Sequence, residues 1–70
     1  MKEKLVLKKE YITLGQLLKA MGLAEDGVMA KEMINDGLCR VNGEEELRRG
    51  RKLYDGDIVT VEDDEILVVK

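Results

Sequence analysis

Four cationic side chains lie within five consecutive residues, Arg48-Arg49-Gly50-Arg51-Lys52, with no acidic residue between them. Guanidinium and ammonium groups neutralise the phosphates of a nucleic acid without reading its sequence. Arginine also offers paired donors that suit phosphate oxygens, and a flat face that stacks on a base. The segment is therefore predicted to be a phosphate-binding loop in which Gly50 permits a turn. The alternative is a solvated loop that balances an acidic chain.

The overall charge of the chain argues against binding to nucleic acid. Lys and Arg number 12 against 15 Asp and Glu, for a net charge of -3, whereas nucleic-acid-binding domains more often have a high pI. The distribution matters more, because acidic residues are grouped elsewhere, in Glu44-Glu45-Glu46 and Glu62-Asp63-Asp64-Glu65. We expect these runs on a side turned away from bound phosphates. They are not expected to hold a divalent metal, since neighbouring strand residues alternate between faces.

The residue inventory excludes the common catalytic and metal-binding arrangements. Histidine and serine are absent, so neither a Ser-His-Asp nor a Cys-His pair exists. The single cysteine, Cys39, can form neither an internal disulfide nor a cysteine zinc site. It is predicted to be a core residue, because no histidine is present to activate the thiol. We therefore expect no enzyme activity, no cofactor and no metal.

The length of 70 residues suits one domain, spanning residues 1–70. The start, Met1-Lys2-Glu3-Lys4, does not resemble a signal peptide. No apolar run approaches the length of a membrane span, and a lone cysteine agrees with a reducing compartment. A soluble, cytoplasmic monomer without a membrane partner is expected.

Two short helices are predicted in the first half of the chain. Thr13 is predicted to cap the first helix, with Gln16 completing a capping box and Gly22 ending the helix. The second helix is predicted to begin at Asp26 and to stop at Gly37. The expected apolar faces consist of Leu14, Leu17, Leu18 and Met21 in the first helix and Ala30, Met33 and Ile34 in the second.

The second half is predicted to form strands, after a short first strand over residues 5–8. Cys39 and Val41 alternate with polar neighbours, and Asn42-Gly43 is a strong hairpin signal. Further strands are expected over residues 44–47, 58–61 and 66–69, with turns at Asp55-Gly56 and Asp63-Asp64. The predicted fold is α+β, with two helices packed on a small, mostly antiparallel sheet.

The order of these elements resembles the S4 domain, a family of RNA-binding domains named after the fourth protein of the small ribosomal subunit. The strongest match is Ile34-Asn35-Asp36-Gly37-Leu38-Cys39-Arg40-Val41-Asn42-Gly43, where helix end, glycine, strand and Val-Asn-Gly follow the family's order. Other matching segments are Leu14-Gly15-Gln16-Leu17-Leu18, Gly22-Leu23-Ala24 and Gly56-Asp57-Ile58-Val59. The resemblance covers about residues 12–61, the core of the expected domain. Thr13-Leu14-Gly15-Gln16, Gly27-Val28-Met29-Ala30-Lys31 and Arg48-Arg49-Gly50-Arg51-Lys52-Leu53 are most similar to a stand-alone bacterial subfamily.

The resemblance implies that the helix pair, called the alpha-L motif, takes part in binding structured RNA, ribosomal or otherwise stable, with no preference for DNA. Many family members carry an arginine at the positions of Thr13 and Gly27, and this chain lacks both. We therefore expect the loop at residues 48–52 to take over part of the binding. The expected RNA-binding residues are Arg48, Arg49, Arg51, Lys52, Lys31, Arg40 and Lys19.

Other interpretations stay open. Tyr11 and Tyr54 are the only aromatic residues and are able to stack on a base, although Tyr54 is expected to cover the sheet. A protein-interaction adaptor that does not bind RNA is the main alternative, favoured by the acidic composition. A ubiquitin-like sulfur carrier fits the size. The chain, however, ends in Val68-Val69-Lys70 instead of the Gly-Gly that such carriers need.

Overall fold

The computed structural model describes residues 2–70. Helices α1 (Leu14–Ala20) and α2 (Gly27–Asn35) follow two strands, β1 (Lys2–Val6) and β2 (Ile12–Thr13). The later strands are β3 (Cys39–Val41), β4 (Glu44–Glu45), β5 (Lys52–Leu53), β6 (Ile58–Val61) and β7 (Asp64–Val69). Neither helix within residues 2–70 combines the length and apolar character needed to cross a lipid bilayer.

Both helices begin at the residues predicted to cap them. The Thr13 hydroxyl accepts a 3.3 Å hydrogen bond from the Gln16 N–H, and the Gln16 side chain accepts one of 3.2 Å from the Thr13 N–H. The Asp26 carboxylate accepts a 2.8 Å hydrogen bond from a backbone N–H in the first turn of α2. Gly22 and Gly37 follow the helices with φ values of 75° and 79°, as left-handed helix stops do. The predicted caps and stops are confirmed.

Five strands form one sheet in the order β1-β7-β6-β3-β4, while β2 and β5 form a separate two-stranded ribbon. The β1–β7 pair is parallel and the other pairs are antiparallel. Asn42 and Gly43 join β3 to β4 with φ values of 53° and 87°, and positive values at both positions are what a type I′ hairpin turn requires. The predicted α+β fold with a mostly antiparallel sheet is confirmed.

Three strand predictions were wrong in their limits. The first strand spans Lys2–Val6 instead of residues 5–8, because its whole length pairs with β7. The returning arm of the first hairpin spans Glu44–Glu45 instead of residues 44–47, and the Glu46 N–H adds a 3.1 Å hydrogen bond to the Cys39 carbonyl. The last strand begins at Asp64 instead of residue 66, because the β6–β7 turn consists of Glu62 and Asp63, one residue earlier than predicted, and Glu62 adopts a φ of 53°.

One hydrophobic core joins the helices to the inner face of the sheet. Its members are Leu7, Leu14, Leu17, Leu18, Ala24, Ala30, Ile34, Cys39, Val41, Leu53, Val59, Val61, Ile66 and Val68. Met21 and Met33 pack against it and are partly buried, so the predicted apolar helix faces are confirmed. Cys39 is fully buried, and this burial raises the pKa of its thiol to about 11. It is a core residue, as predicted.

Candidate functional site

The basic loop, residues 48–52, is fixed against the start of α1. Its last residue belongs to β5, which pairs with β2, the strand that leads directly into α1. The Leu14 N–H donates a 2.9 Å hydrogen bond to the Arg51 carbonyl. The Gly15 N–H donates a 3.0 Å hydrogen bond to the Arg49 carbonyl. These amides have no partner inside the helix, so the loop backbone both caps α1 and is held in place by it.

Glu46 lies under the loop and pairs with two of its arginines. The carboxylate accepts hydrogen bonds from Arg48 Nε at 2.9 Å, Arg48 Nη2 at 3.0 Å and Arg51 Nη1 at 2.7 Å. Only 10% of the Glu46 side chain is exposed. The hydrogen bonds from Arg48 contribute most to lowering the pKa of Glu46 to about 2, and those from Arg51 add to them. The carboxylate is therefore ionised at neutral pH.

This cluster bears on the prediction that the run Glu44-Glu45-Glu46 lies on a side turned away from bound phosphates. Glu46 differs from its two neighbours, because it is buried and its carboxylate pairs with Arg48 and Arg51. For the exposed Glu44 and Glu45 the expectation stays a prediction. Among residues 2–70, no three Cys, Asp or Glu side chains come close enough together to hold a metal ion. Glu46 acts as an internal counter-ion.

Arg48 and Arg51 keep donors for a second anion despite this pairing. Each guanidinium has five N–H donors. Arg48 uses two of them on the Glu46 side chain and Arg51 uses one. The Arg48 side chain is 71% exposed and that of Arg51 is 32% exposed. One carboxylate thus orients two arginines while leaving the loop with a net positive charge.

Arg49 takes a different path and crosses α1 to reach α2. A Cβ at residue 15 would lie 2.6 Å from Arg49 Cγ and 3.2 Å from Cδ, so glycine at this position leaves the space that the side chain occupies. The Arg49 Nη1 lies 4.0 Å from the position of a Cβ on Gly27, the first residue of α2. Within residues 2–70 no carboxylate forms an ion pair with Arg49. Its charge is therefore available to an external anion.

The two motifs that carry the family resemblance are joined by side-chain hydrogen bonds. Asn42 Nδ2 donates to Asp57 Oδ1 at 3.1 Å, and Asn42 Oδ1 accepts from the Ile58 N–H at 2.9 Å. A family model described as S4 domain matches residues 5–69. The chain belongs to the S4 domain family. The match is longer than the predicted residues 12–61 and includes the last two residues of β1 and all of β7.

A curated relative supports the same membership of the S4 domain family. It is the "Probable ribosome maturation protein RlbA" of Bacillus subtilis (strain 168), which is 49% identical over 53 residues. The aligned residues cover 76% of this chain and 75% of the relative. The likeness therefore extends over most of both proteins.

Arg49 lies beside a position where many S4 domains carry an arginine. Gly27 has no side chain of its own, and the Arg49 guanidinium reaches the space next to it. Lys31 lies one helical turn further along α2, on the same face as Gly27, and it is exposed. Arg49 and Lys31 therefore lie along the same face of α2, with Arg49 beside its first residue and Lys31 one turn further on.

Arg40 and Lys19 do not lie on the surface formed by Arg49 and Lys31. Arg40 stands between two buried residues of β3, so its side chain is on the outer face of the sheet, opposite the core and the helices. Its neighbours across the strands are Glu45 and Thr60. Lys19 is exposed on α1, where it lines a shallow depression together with Tyr11. Neither residue lies at the start of α2.

The two tyrosines form a pair that sequence reasoning missed. Their ring centroids are 5.9 Å apart with an interplanar angle of 50°, and Lys52 Nζ lies 4.9 Å from the Tyr11 centroid. The expectation that Tyr54 covers the sheet was wrong. The Ile12–Leu53 pairing of β2 and β5 instead places Tyr54 opposite Tyr11. Strands of two residues are too short to show an alternation of apolar and polar side chains. The sequence therefore offered no signal for this contact.

Proposed function

We propose that this S4 domain is a non-catalytic module that binds structured RNA of the ribosome. Family membership and the name of the Bacillus subtilis relative, a ribosome maturation protein, support this role. The observation that carries the proposal is the position of Arg49, whose stem lies over Gly15 and whose guanidinium lies beside α2 with no carboxylate partner among residues 2–70. The protein is expected to act in the cytoplasm, where ribosomes are found, and as a monomer.

In the proposed mode of binding, phosphates of a folded RNA lie along the start of both helices. Arg49 and Lys31 supply charge at α2, while Arg48, Arg51 and Lys52 supply it at the loop. Because the loop backbone is hydrogen-bonded to α1, little conformational freedom is lost when RNA binds. Shape and phosphate spacing, and not base identity, would then decide which RNA is bound.

The decisive experiment compares two charge reversals, Arg49→Glu and Arg40→Glu. Both change the net charge equally, but only the first lies on the proposed surface. Reversing all three loop arginines would be less informative, because Arg48 and Arg51 also hold Glu46. A hydrogen bond to a charged group contributes about 1.5–3 kcal/mol, which corresponds to about ten- to hundredfold in affinity.

Binding is measured by fluorescence anisotropy with labelled ribosomal RNA fragments, at several salt concentrations. We expect Arg49→Glu to weaken binding by at least tenfold and to flatten its salt dependence, while Arg40→Glu has little effect. Equal losses of affinity in both variants would show that the interaction is a non-specific charge attraction. Unchanged binding in Arg49→Glu would overturn the proposed surface.

The adaptor function predicts a different result. The net charge of -3 and the lack of an arginine at the positions of Thr13 and Gly27 are the observations that favour it. An adaptor would bind ribosomal particles equally well before and after nuclease treatment, and the purified protein would not shift free RNA. The RNA-binding function predicts loss of the interaction after nuclease treatment.

A further inference from the structure

Both aromatic side chains of the chain lie outside the hydrophobic core. The sequence contains two tyrosines, no phenylalanine and no tryptophan. A domain of this size gains most when its large aromatic rings are buried, yet Tyr11 is 40% exposed and Tyr54 is 45% exposed. They contact one another on the surface, with Lys52 over the Tyr11 ring. This arrangement leaves aromatic ring surface available to a ligand.

Tyr11 also forms one wall of a depression between the β1–β2 connection and α1. The depression has a volume of about 460 Å³, within the range of sites that hold small ligands. Leu7 and Ile12 contribute apolar surface, and Lys8, Lys9 and Lys19 contribute positive charge. No acidic side chain lines it. Glu10, which lies between these residues in sequence, instead forms a 3.1 Å ion pair with Lys70.

We propose that this depression, the nucleotide pocket, binds one unpaired nucleotide of the RNA, with its base on the Tyr11 ring and its phosphate against the lysines. The inference rests on the proposed RNA-binding function and adds a site for a single-stranded element. Every base has a π-face that stacks on a tyrosine. Within a duplex those faces are already stacked, so only an unpaired nucleotide presents one.

Lys52 connects the nucleotide pocket to the basic loop. Its ammonium lies 4.9 Å from the centroid of the Tyr11 ring, and Lys52 is not one of the residues that line the depression. The ring face toward the depression is the one proposed to receive the base. Because Lys52 is also the last residue of the loop, a strand leaving the loop surface passes directly to the pocket. One continuous path then holds a folded RNA and an adjacent unpaired nucleotide.

The first test compares two RNA hairpins, each closed by a non-nucleotide linker so that no loop nucleotide is unpaired, which differ only in a short single-stranded overhang. Tyr11→Leu removes the ring and keeps an apolar side chain, while Tyr11→Phe keeps the stacking surface. We expect Tyr11→Leu to weaken binding of the overhang hairpin by about five- to hundredfold, to leave the blunt hairpin unchanged, and Tyr11→Phe to bind both like the wild type. Equal affinities of Tyr11→Leu and wild type for the overhang hairpin would overturn the proposal.

The second test uses the intrinsic fluorescence of the full chain. Because both tyrosines belong to this surface and tryptophan is absent, their emission reports directly on stacking. A single-stranded oligonucleotide is expected to quench the emission at lower concentration than adenosine monophosphate, because it adds a second phosphate contact. Quenching by the free nucleotide at equal concentration would identify a mononucleotide site instead and overturn the RNA assignment. Displacement of the oligonucleotide by polyglutamate at equal charge concentration would assign the surface to acidic peptides.

The outcomes separate this inference from the function on which it rests. If Arg49→Glu weakens binding of both hairpins and Tyr11→Leu weakens neither, RNA binding stands and the nucleotide pocket is wrong. If the wild type binds neither hairpin and its tyrosine emission is unchanged by oligonucleotide, both proposals fail. Circular dichroism of each variant confirms that the exposed substitutions leave the fold intact.

Discussion

Arg49 and Gly15 are in such close contact that a Cβ at residue 15 would lie 2.6 Å from the Arg49 Cγ. The glycine is the second residue of α1 and is buried beneath the arginine side chain. Its N–H also donates to the Arg49 carbonyl at 3.0 Å. The absent side chain of one residue thus determines where the charge of another is placed, at the start of α2.

We therefore predict that Gly15→Ala weakens RNA binding about as much as Arg49→Ala. The added methyl group displaces the arginine stem, while alanine is favoured over glycine in a helix by about 1 kcal/mol, so the fold is retained. Affinity is measured by anisotropy and stability by urea unfolding.

The control is Gly27→Ala, whose Cβ would lie 4.0 Å from Arg49 Nη1 in ordinary contact. Because the two residues act together, Gly15→Ala in an Arg49→Ala background should change affinity little. Additive losses would contradict the relationship.

The Glu46 cluster leads to a prediction about stability. Glu46→Gln removes the ion pairs and leaves the partly buried Arg51 without its counter-ion, which we expect to lower the free energy of unfolding by about 1–3 kcal/mol. Glu44→Gln, two residues earlier and exposed, makes the same chemical change outside the cluster and should cost little. Urea unfolding at neutral pH measures both. Equal stability of the two variants would show that the cluster contributes nothing to folding.

The same cluster sets a pH dependence. The pKa of Glu46 falls from its usual 4.5 to about 2 on folding, so the unfolded chain binds the proton more readily than the folded protein. The stabilisation is present above pH 4.5 and is lost as pH falls toward 2, for a total of up to about 3 kcal/mol. The stability difference between wild type and Glu46→Gln should therefore shrink over that interval. A difference that stays constant down to pH 2 would contradict the assignment.

The Cys39 thiol should be unreactive in the folded protein. Full burial raises its pKa to about 11, and the thiolate is the form that attacks disulfide reagents. At pH 8 we expect Ellman's reagent to react only as fast as the protein opens, and at once in denaturant. Glu46→Gln should speed the reaction, because it lowers stability. Fast reaction of the native wild type would show that β3 opens locally.

Features encoded by neighbouring residues could be predicted from the sequence. The capping side chains of Thr13 and Asp26, the Asn42-Gly43 turn and the alternation of Cys39 with Val41 depend on chemistry within a few residues. The buried faces of both helices followed from their spacing. These local preferences agree with one another, which is why the fold class could be recognised.

The arrangement of the site could not be predicted in the same way. Glu46 is the last of three consecutive glutamates, and its inward turn depends on arginines that the loop brings back over it. The tyrosine pair depends on the two-residue β2–β5 ribbon, which joins Ile12 to Leu53 across both helices. Contacts of this kind are decided by packing of distant segments, and local sequence patterns do not encode them.

The parallel pairing of β1 with β7 determines where an added tag or label would sit. Lys2 lies beside Glu65, whereas the last residue, Lys70, donates its N–H to Asp55 and pairs with Glu10. Glu10 and Asp55 are the chain neighbours of Tyr11 and Tyr54. A label attached at Lys70 would therefore lie next to the tyrosines and across the proposed RNA path, while one attached at Lys2 would lie at the opposite end of the β1–β7 pair. Surface-immobilisation chemistry therefore belongs at Lys2.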